Sequence, residues 1–226
     1  MATFVGNSSG FSVYDGKEIL EVQAWGENSA RVRSTLGSSI TETPGSALGD
    51  PGTGRPHVEV SDGRALMRNG EIIVEVTDSE GKEFLHFPPL VRFLRPDGEE
   101  LFAERVPHFS APPQRRYRPG GGGLYRCDVS FRSFPTERFY GLGQHQHGLL
   151  DQKGAVIELV QRNTEVSVPF ALSNRGYGFL WNMPGIGRAE LSANGTKWVA
   201  DGARQIDYWA KPAALQSSRR IRSHSS

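Results

Sequence analysis

The chain has 226 residues and an almost balanced charge, 26 basic against 25 acidic side chains for a net charge of +1. That length holds one sizeable domain or two small ones, and the balance excludes a global field that would recruit nucleic acid or an anionic membrane. A hydrophobic content of 37%, with 27 glycines and 14 prolines, favours a turn-rich domain over long helices. The single cysteine, Cys127, excludes an internal disulfide and is simplest to read as a sign of a reducing compartment. Met1–Ser9 carries neither the basic segment nor the apolar run of a secretory signal, and no stretch reaches the apolar length of a membrane span. A cytoplasmic location is therefore expected.

Residues 18–25 alternate, with Leu20, Val22 and Ala24 on one face. A turn at Gly26–Ser29 returns the chain as a second strand over 30–35. Residues 37–56 are rich in Gly, Ser, Thr and Pro and read as a long loop with no core pattern. Ile72, Val74 and Val76 share a face of a strand over 71–77, and a meander through 83–87 follows. Strands over 90–95 and 99–103 flank the hairpin turn Pro96-Asp97-Gly98. Residues 111–123 read as irregular. Residues 124–132 then alternate, with Tyr125, Cys127, Val129 and Phe131 inward. Further strands are expected near 155–160, 167–173, 177–182, 188–193, 197–200 and 205–209. No segment holds a helical period, and many short strands with turns between them predict an all-β, antiparallel β-sandwich. The folded domain is expected to span 1–209. Residues 210–226, rich in Ser and Arg, offer no face to bury and read as a disordered tail.

The most specific signal lies in 137–209. Glu137-Arg138-Phe139-Tyr140-Gly141-Leu142-Gly143-Gln144 is followed by Leu149-Leu150-Asp151-Gln152-Lys153-Gly154 and Arg162-Asn163-Thr164-Glu165. Val168-Pro169-Phe170 and Ser173-Asn174-Arg175-Gly176-Tyr177-Gly178-Phe179-Leu180-Trp181-Asn182 come next. In that order these segments resemble glycoside hydrolase family 31. The resemblance implies a galactose-mutarotase-like (supersandwich) β-sandwich ahead of a (β/α)8 barrel. It also implies retaining hydrolysis of α-glucosides or α-xylosides by two carboxylates on the barrel. A barrel takes roughly 250 residues, and only residues 210–226 follow Trp209. The chain is thus expected to be inactive alone, with no catalytic residue of its own. The switch to an Arg/Ser tail is expected to mark a frameshift, a mis-splice or a truncated gene model.

The resemblance also implies a substrate-binding loop at Asn163 and Glu165, since a loop at this place reaches over the barrel mouth. Asp is the more usual residue where Glu165 stands. A carboxylate there suits sugar hydroxyls because it accepts two hydrogen bonds; the plainer reading is a solvated loop residue. Tyr140, Phe170, Tyr177, Phe179 and Trp181 are expected to pack. Gly141, Gly143, Gly176 and Gly178 suit close approach or positive φ. The family more often has Glu where Gln144 sits.

His145 and His147 could share an ion, but a site needs three or four ligands, so no metal and no cofactor is expected. Gly120–Gly123 lacks the Lys-Ser/Thr of a phosphate loop, and Arg115-Arg116-Tyr117-Arg118 is too small a patch for RNA. The sequons at Asn7 and Asn194 matter only in a secreted protein. His86, His108, His145 and His147 do not combine with a Glu into the acid–base pair of a mutarotase. Two alternatives to the accessory domain stand open: a free-standing carbohydrate-binding sandwich, and a structural piece that docks on a separately encoded barrel. An uncovered barrel-facing surface is expected to drive self-association.

Overall fold

The computed structural model describes residues 1–43, 45–52, 54–79, 87–106 and 112–213. In chain order the strands are β1 (Thr3–Gly6), β2 (Gly10–Asp15), β3 (Glu18–Ala24), β4 (Ala30–Thr35), β5 (His57–Ser61), β6 (Arg64–Asn69), β7 (Ile72–Thr77), β8 (Leu90–Leu94), β9 (Glu100–Ala103), β10 (Arg115–Pro119), β11 (Tyr125–Phe131), β12 (Phe139–Gln144), β13 (Val156–Leu159), β14 (Val166–Ser173), β15 (Tyr177–Trp181), β16 (Gly187–Ser192), β17 (Gly195–Ala203) and β18 (Gln205–Pro212). An eight-stranded sheet runs β1-β2-β3-β4-β18-β15-β14-β12, and two five-stranded sheets run β10-β11-β17-β16-β13 and β5-β6-β7-β8-β9. A bridge between Glu104 and Phe131 joins the two smaller sheets. The architecture is the expected antiparallel sandwich. No helix among the described residues is long and apolar enough to cross a membrane.

Alternation explains the core. Leu20, Val22, Ala24, Ile72, Val74, Val76, Cys127, Val129 and Phe131 are all buried. Aromatic rings from the three sheets meet between the layers. Phe93 stacks on Phe102 at 4.2 Å and Phe102 on Tyr177 at 4.4 Å, while Phe179 lies 4.7 Å from Trp198. Such ring pairs add to the burial of large apolar surfaces. The Cys127 thiol sits in this core, and burial, with Asp128 beside it, pushes it up to about 12. Tyr177, Phe179 and Trp181 are buried as expected, whereas Tyr140 and Phe170 are only half-buried on the outer face.

Several expectations need correction. β1, β2, β5, β6, β10 and β12 were not anticipated, although Phe11 and Val13 of β2 and Ala65 and Met67 of β6 alternate into the core. β5 is the edge of its sheet and largely exposed, so no buried face disciplines its sequence. β10 lies inside the stretch read as irregular and pairs with β11 from Arg115↔Val129 to Pro119↔Tyr125. It escapes an apolar pattern because its buried residue is an arginine. Arg115 Nε donates to Glu18 at 2.7 Å, and its Nη1 pairs with Glu104. β18 continues to Pro212, past the boundary expected at 209, because residues 208–212 pair with β15. The meander through 83–87 falls mostly outside the described residues, as do His86, His108 and residues 214–226.

Among the described residues of 37–56 there is no strand, as expected, but the loop is pinned. It covers the outer face of β4 and β18, where Arg31 donates to both oxygens of Asp207 at 3.0 and 2.7 Å. Thr43 Oγ1 donates to Asp207 at 2.6 Å, and Asn182 Nδ2 donates to it at 2.9 Å. Glu42 accepts from Arg31 and Arg33. A long polar loop can therefore order over a sheet when its side chains complete buried ion pairs.

Candidate functional site

The family-like segments converge at one end of the eight-stranded sheet. Gly141, Leu142 and Gly143 all have positive φ, at +100°, +68° and +97°. They form an irregularity in the β12–β14 pairing. A Cβ on Gly143 would lie 1.9 Å from the Val166 carbonyl oxygen, so the motif's second glycine is required by close backbone approach. A Cβ on Gly178 would meet the Phe170 ring at 2.9 Å.

The polar residues of the motif brace one another. Buried Glu137 accepts from Ser173 Oγ at 2.7 Å and from the Tyr177 hydroxyl at 2.6 Å. Asn174 Oδ1 accepts from Arg138 N at 2.8 Å. Asp151 accepts from Arg138 Nη1 at 2.6 Å, Lys153 N at 3.0 Å and Phe139 N at 3.2 Å. The run is thus a set of cross-links between β12, the β14–β15 hairpin and the 149–153 loop.

Burial pushes the Asp151 carboxyl up, but the bonds from Lys153 N, Arg138 and Phe139 outweigh it and hold the group below its ordinary value of 3.8. A carboxyl lowered in the folded state stabilises above the unfolded value and loses that contribution as pH falls through the folded one. Asp151→Asn is expected to cost about 1 kcal/mol near neutral pH. The deficit should shrink below pH 3.8, as followed by urea unfolding across pH. A deficit independent of pH would assign the brace to shape alone.

Two loops leave this platform together. Residues 162–165 form a tight turn closed by the Arg162–Glu165 bridge, with Thr164 at φ +70°. Asn163 is exposed at its apex and Glu165 is half-buried. The 145–147 segment runs beside it. Gln146 Nε2 donates to the Thr164 hydroxyl, and His145 Nδ1 lies 4.0 Å from Glu165 Oε2. Asn163 and Glu165 are therefore on one turn, backed by His145 and Gln146.

From the sequence, His145 and His147 stand only as candidate metal ligands or members of a mutarotase acid–base pair, not as supports of a neighbouring loop. Their rings stack at 5.5 Å. His145 Nε2 meets Leu142 O at 2.8 Å, and His147 Nδ1 accepts from Leu149 N at 3.1 Å. Both rings thus serve local structure, and among the described residues no cluster of three His, Cys, Asp or Glu is placed to hold a metal. Only the adjacency of the two loops, a tertiary fact, could have revealed their supporting role. A cleft of about 490 Å³ opens beside the base of this turn, lined in part by Gln161, Ser167, Trp181, Met183 and Ile186, and takes in neither Asn163 nor Glu165.

No family model matches the chain. Over 211 residues, 85% of its length, the chain is 32% identical to an uncharacterised family 31 glucosidase of Pseudescherichia vulneris, of which it covers 38%. It is 31% identical over 217 residues, 91% of its length, to alpha-xylosidase A of Aspergillus niger, of which it covers 29%. The crystal structure of a GH31 alpha-xylosidase from a soil metagenome, complexed with xylose, matches with a TM-score of 0.82 at 32% identity, over 93% of this chain and 32% of that one. The chain thus spans well under half the length of the relatives it matches.

Proposed function

The chain belongs to glycoside hydrolase family 31, as the N-terminal part of such a protein, and from that premise we propose that it is the accessory sandwich of an α-glycosidase whose hydrolysis is done by a barrel outside these residues. The observation that carries the reading is the braced platform that sets Asn163 and Glu165 together on one supported turn. In this role Glu165 accepts hydrogen bonds from sugar hydroxyls and Asn163 supplies a neutral donor and acceptor. The glutamate reaches one methylene further than the aspartate usual in the family. The proposed substrates are α-glucosides or α-xylosides.

The test combines the chain with the separately expressed remainder of the Pseudescherichia relative and follows α-glucoside and α-xyloside hydrolysis. The chain alone should turn over nothing, and the pair should be active. Glu165→Ala in the pair should lower kcat/KM by about tenfold or more, the loss of one hydrogen bond to a charged group. An unchanged value would remove the loop from the site, and hydrolysis by the chain alone would refute the reading. Titration of the chain alone with gluco- and xylo-oligosaccharides separates this from a free-standing binding module, which would release heat.

The proposal extends to the outer face of the same end of the sheet. Val166, Val168 and Leu172 on β14 are 53%, 43% and 43% exposed. Half-buried Tyr140, Phe170, Leu180 and Trp209 continue the row across β12, β15 and β18, since Tyr140 pairs with Leu172 and Leu180 lies between Phe170 and Trp209. An apolar row of this kind marks an interaction surface. The isolated chain is expected to associate as its concentration rises, and Val168→Glu with Leu172→Glu to restore a monomer, read by sedimentation velocity. A wild-type monomer at all concentrations would contradict this.

A further inference from the structure

The dipeptide Asn-Gly occurs twice in the chain, at Asn69-Gly70 and Asn194-Gly195, and the fold treats the two in opposite ways. We propose that Asn194-Gly195 is a site of spontaneous succinimide chemistry that converts Asn194 to aspartate and isoaspartate, while Asn69-Gly70 is protected by its hydrogen bonds. In this reaction the Gly195 backbone nitrogen gives its proton to a solvent base and attacks Asn194 Cγ. The side-chain carbon–nitrogen bond breaks and ammonia leaves with a proton taken back from solvent. Water then adds to either carbonyl of the five-membered ring and opens it. The net change is amide plus water to carboxylate plus ammonium, with no oxidant or reductant.

The geometry sets the two sites apart. Asn194 is exposed in the two-residue turn between β16 and β17, and Gly195 closes that hairpin opposite Ser192. Only the end pair of the ladder has to fray for the nitrogen to attack, and hairpin ends open at low cost. Gly195 has no side chain to hinder the approach. Arg105 and Lys197 line the same cleft of about 190 Å³ as Asn194 and Gly195. A nearby cation favours the deprotonated nitrogen, although Lys197 is shared with Glu190 at 3.0 Å.

Asn69 is 7% exposed. Its Nδ2 donates to the carbonyls of Gly26 and Ser29, both at 2.8 Å. Gly70 is held at φ +58°, and a Cβ there would lie 1.9 Å from Asn28 Oδ1. The leaving amide is therefore tied down on both hydrogens, and the following backbone is enclosed.

An isoaspartate at 194 adds a methylene to the main chain at the tip of the β16–β17 hairpin, where Trp198 enters the core. The product also carries a new carboxylate into a cleft lined by Arg105 and by the Lys197–Glu190 pair.

The test ages the purified 226-residue chain in mildly alkaline buffer and maps aspartate and isoaspartate by peptide mass spectrometry. A parallel sample is aged in strong urea. In the folded chain Asn194 should convert at least about tenfold faster than Asn69, since two buried hydrogen bonds must break first at the latter. In urea the two rates should converge. Equal rates in the folded chain, or an Asn194 that reacts in urea but stays intact when folded, would overturn the proposal.

Discussion

Asp207→Ala is expected to lower the unfolding free energy by about 3–5 kcal/mol, the cost of stranding a buried charge. The Arg31 and Asp207 side chains are both fully excluded from solvent. Removing the carboxylate leaves the guanidinium with Glu42, whose side chain is 73% exposed and partly solvated. Thr43 and Asn182 lose their shared acceptor in the same step. In a chain of this size the loss corresponds to a fall in Tm of roughly 10 °C. The loop over 37–56 should become a site of early proteolysis around 43–47, because Thr43 is tied to Asp207, and Ser46 and Ala47 to the Asn182 that Asp207 orients, while Gln205 still holds Thr41. Urea unfolding and limited proteolysis check both parts. A loss under 1 kcal/mol would show that the network orders the loop without contributing to stability.

The second large effect is at the other buried charge cluster. Arg115 is enclosed with Glu18 and Glu104, so Arg115→Met leaves two carboxyls without a cation. A loss of about 3–5 kcal/mol is expected. Glu104→Gln should do far less. Burial pushes the Glu104 carboxyl up, and although Arg115 pulls it down, the group is held above its ordinary value of 4.5 with Glu18 beside the same guanidinium. Its Oε1 has no hydrogen-bond partner among the described residues, which also favours the neutral form.

Between pH 4.5 and the raised value, the folded chain therefore keeps a proton on Glu104 more readily than the unfolded chain does. This stabilises fully below pH 4.5 and is lost as pH rises through the raised value. Glu104→Gln removes that dependence. Its stability relative to wild type should therefore improve from acid toward neutral pH, as measured by urea midpoints. A variant that loses ground as pH rises would show the carboxylate to be the favoured form.

Most of the fold was legible from local pattern. β3, β4, β7, β8, β9, β11 and the strands from β13 to β18 follow runs with one apolar face. The hairpin at 96–98 closes as its Pro-Asp-Gly predicts, with Gly98 at φ +89° and Arg95 N donating to Glu99 O at 2.8 Å. The strands that escaped have other reasons to be strands. β10 buries an arginine, β12 is carried by glycines, and β5 has little buried surface to declare. The motif glycines were read correctly because a positive φ at Gly141, Gly143 and Gly176, and the close Phe170 ring at Gly178, leave glycine as the residue that fits.

The sequence by itself determined the fold class, the order of most strands and, through the ordered run from Glu137 to Asn182, the family. These follow from alternation and from residues whose backbone demands are local. Tertiary structure alone decided what the polar residues of that run do. Glu137 meets Ser173 and Tyr177, and Asp151 meets Arg138, across distances in sequence that no period reports. It alone decided that the loop over 37–56 is tied to Asp207. It also set Asn163 and Glu165 beside His145 and Gln146. The physical reason is that hydrogen bonds and ion pairs are directional and pairwise, so their partners become visible only when the sheets bring distant segments together.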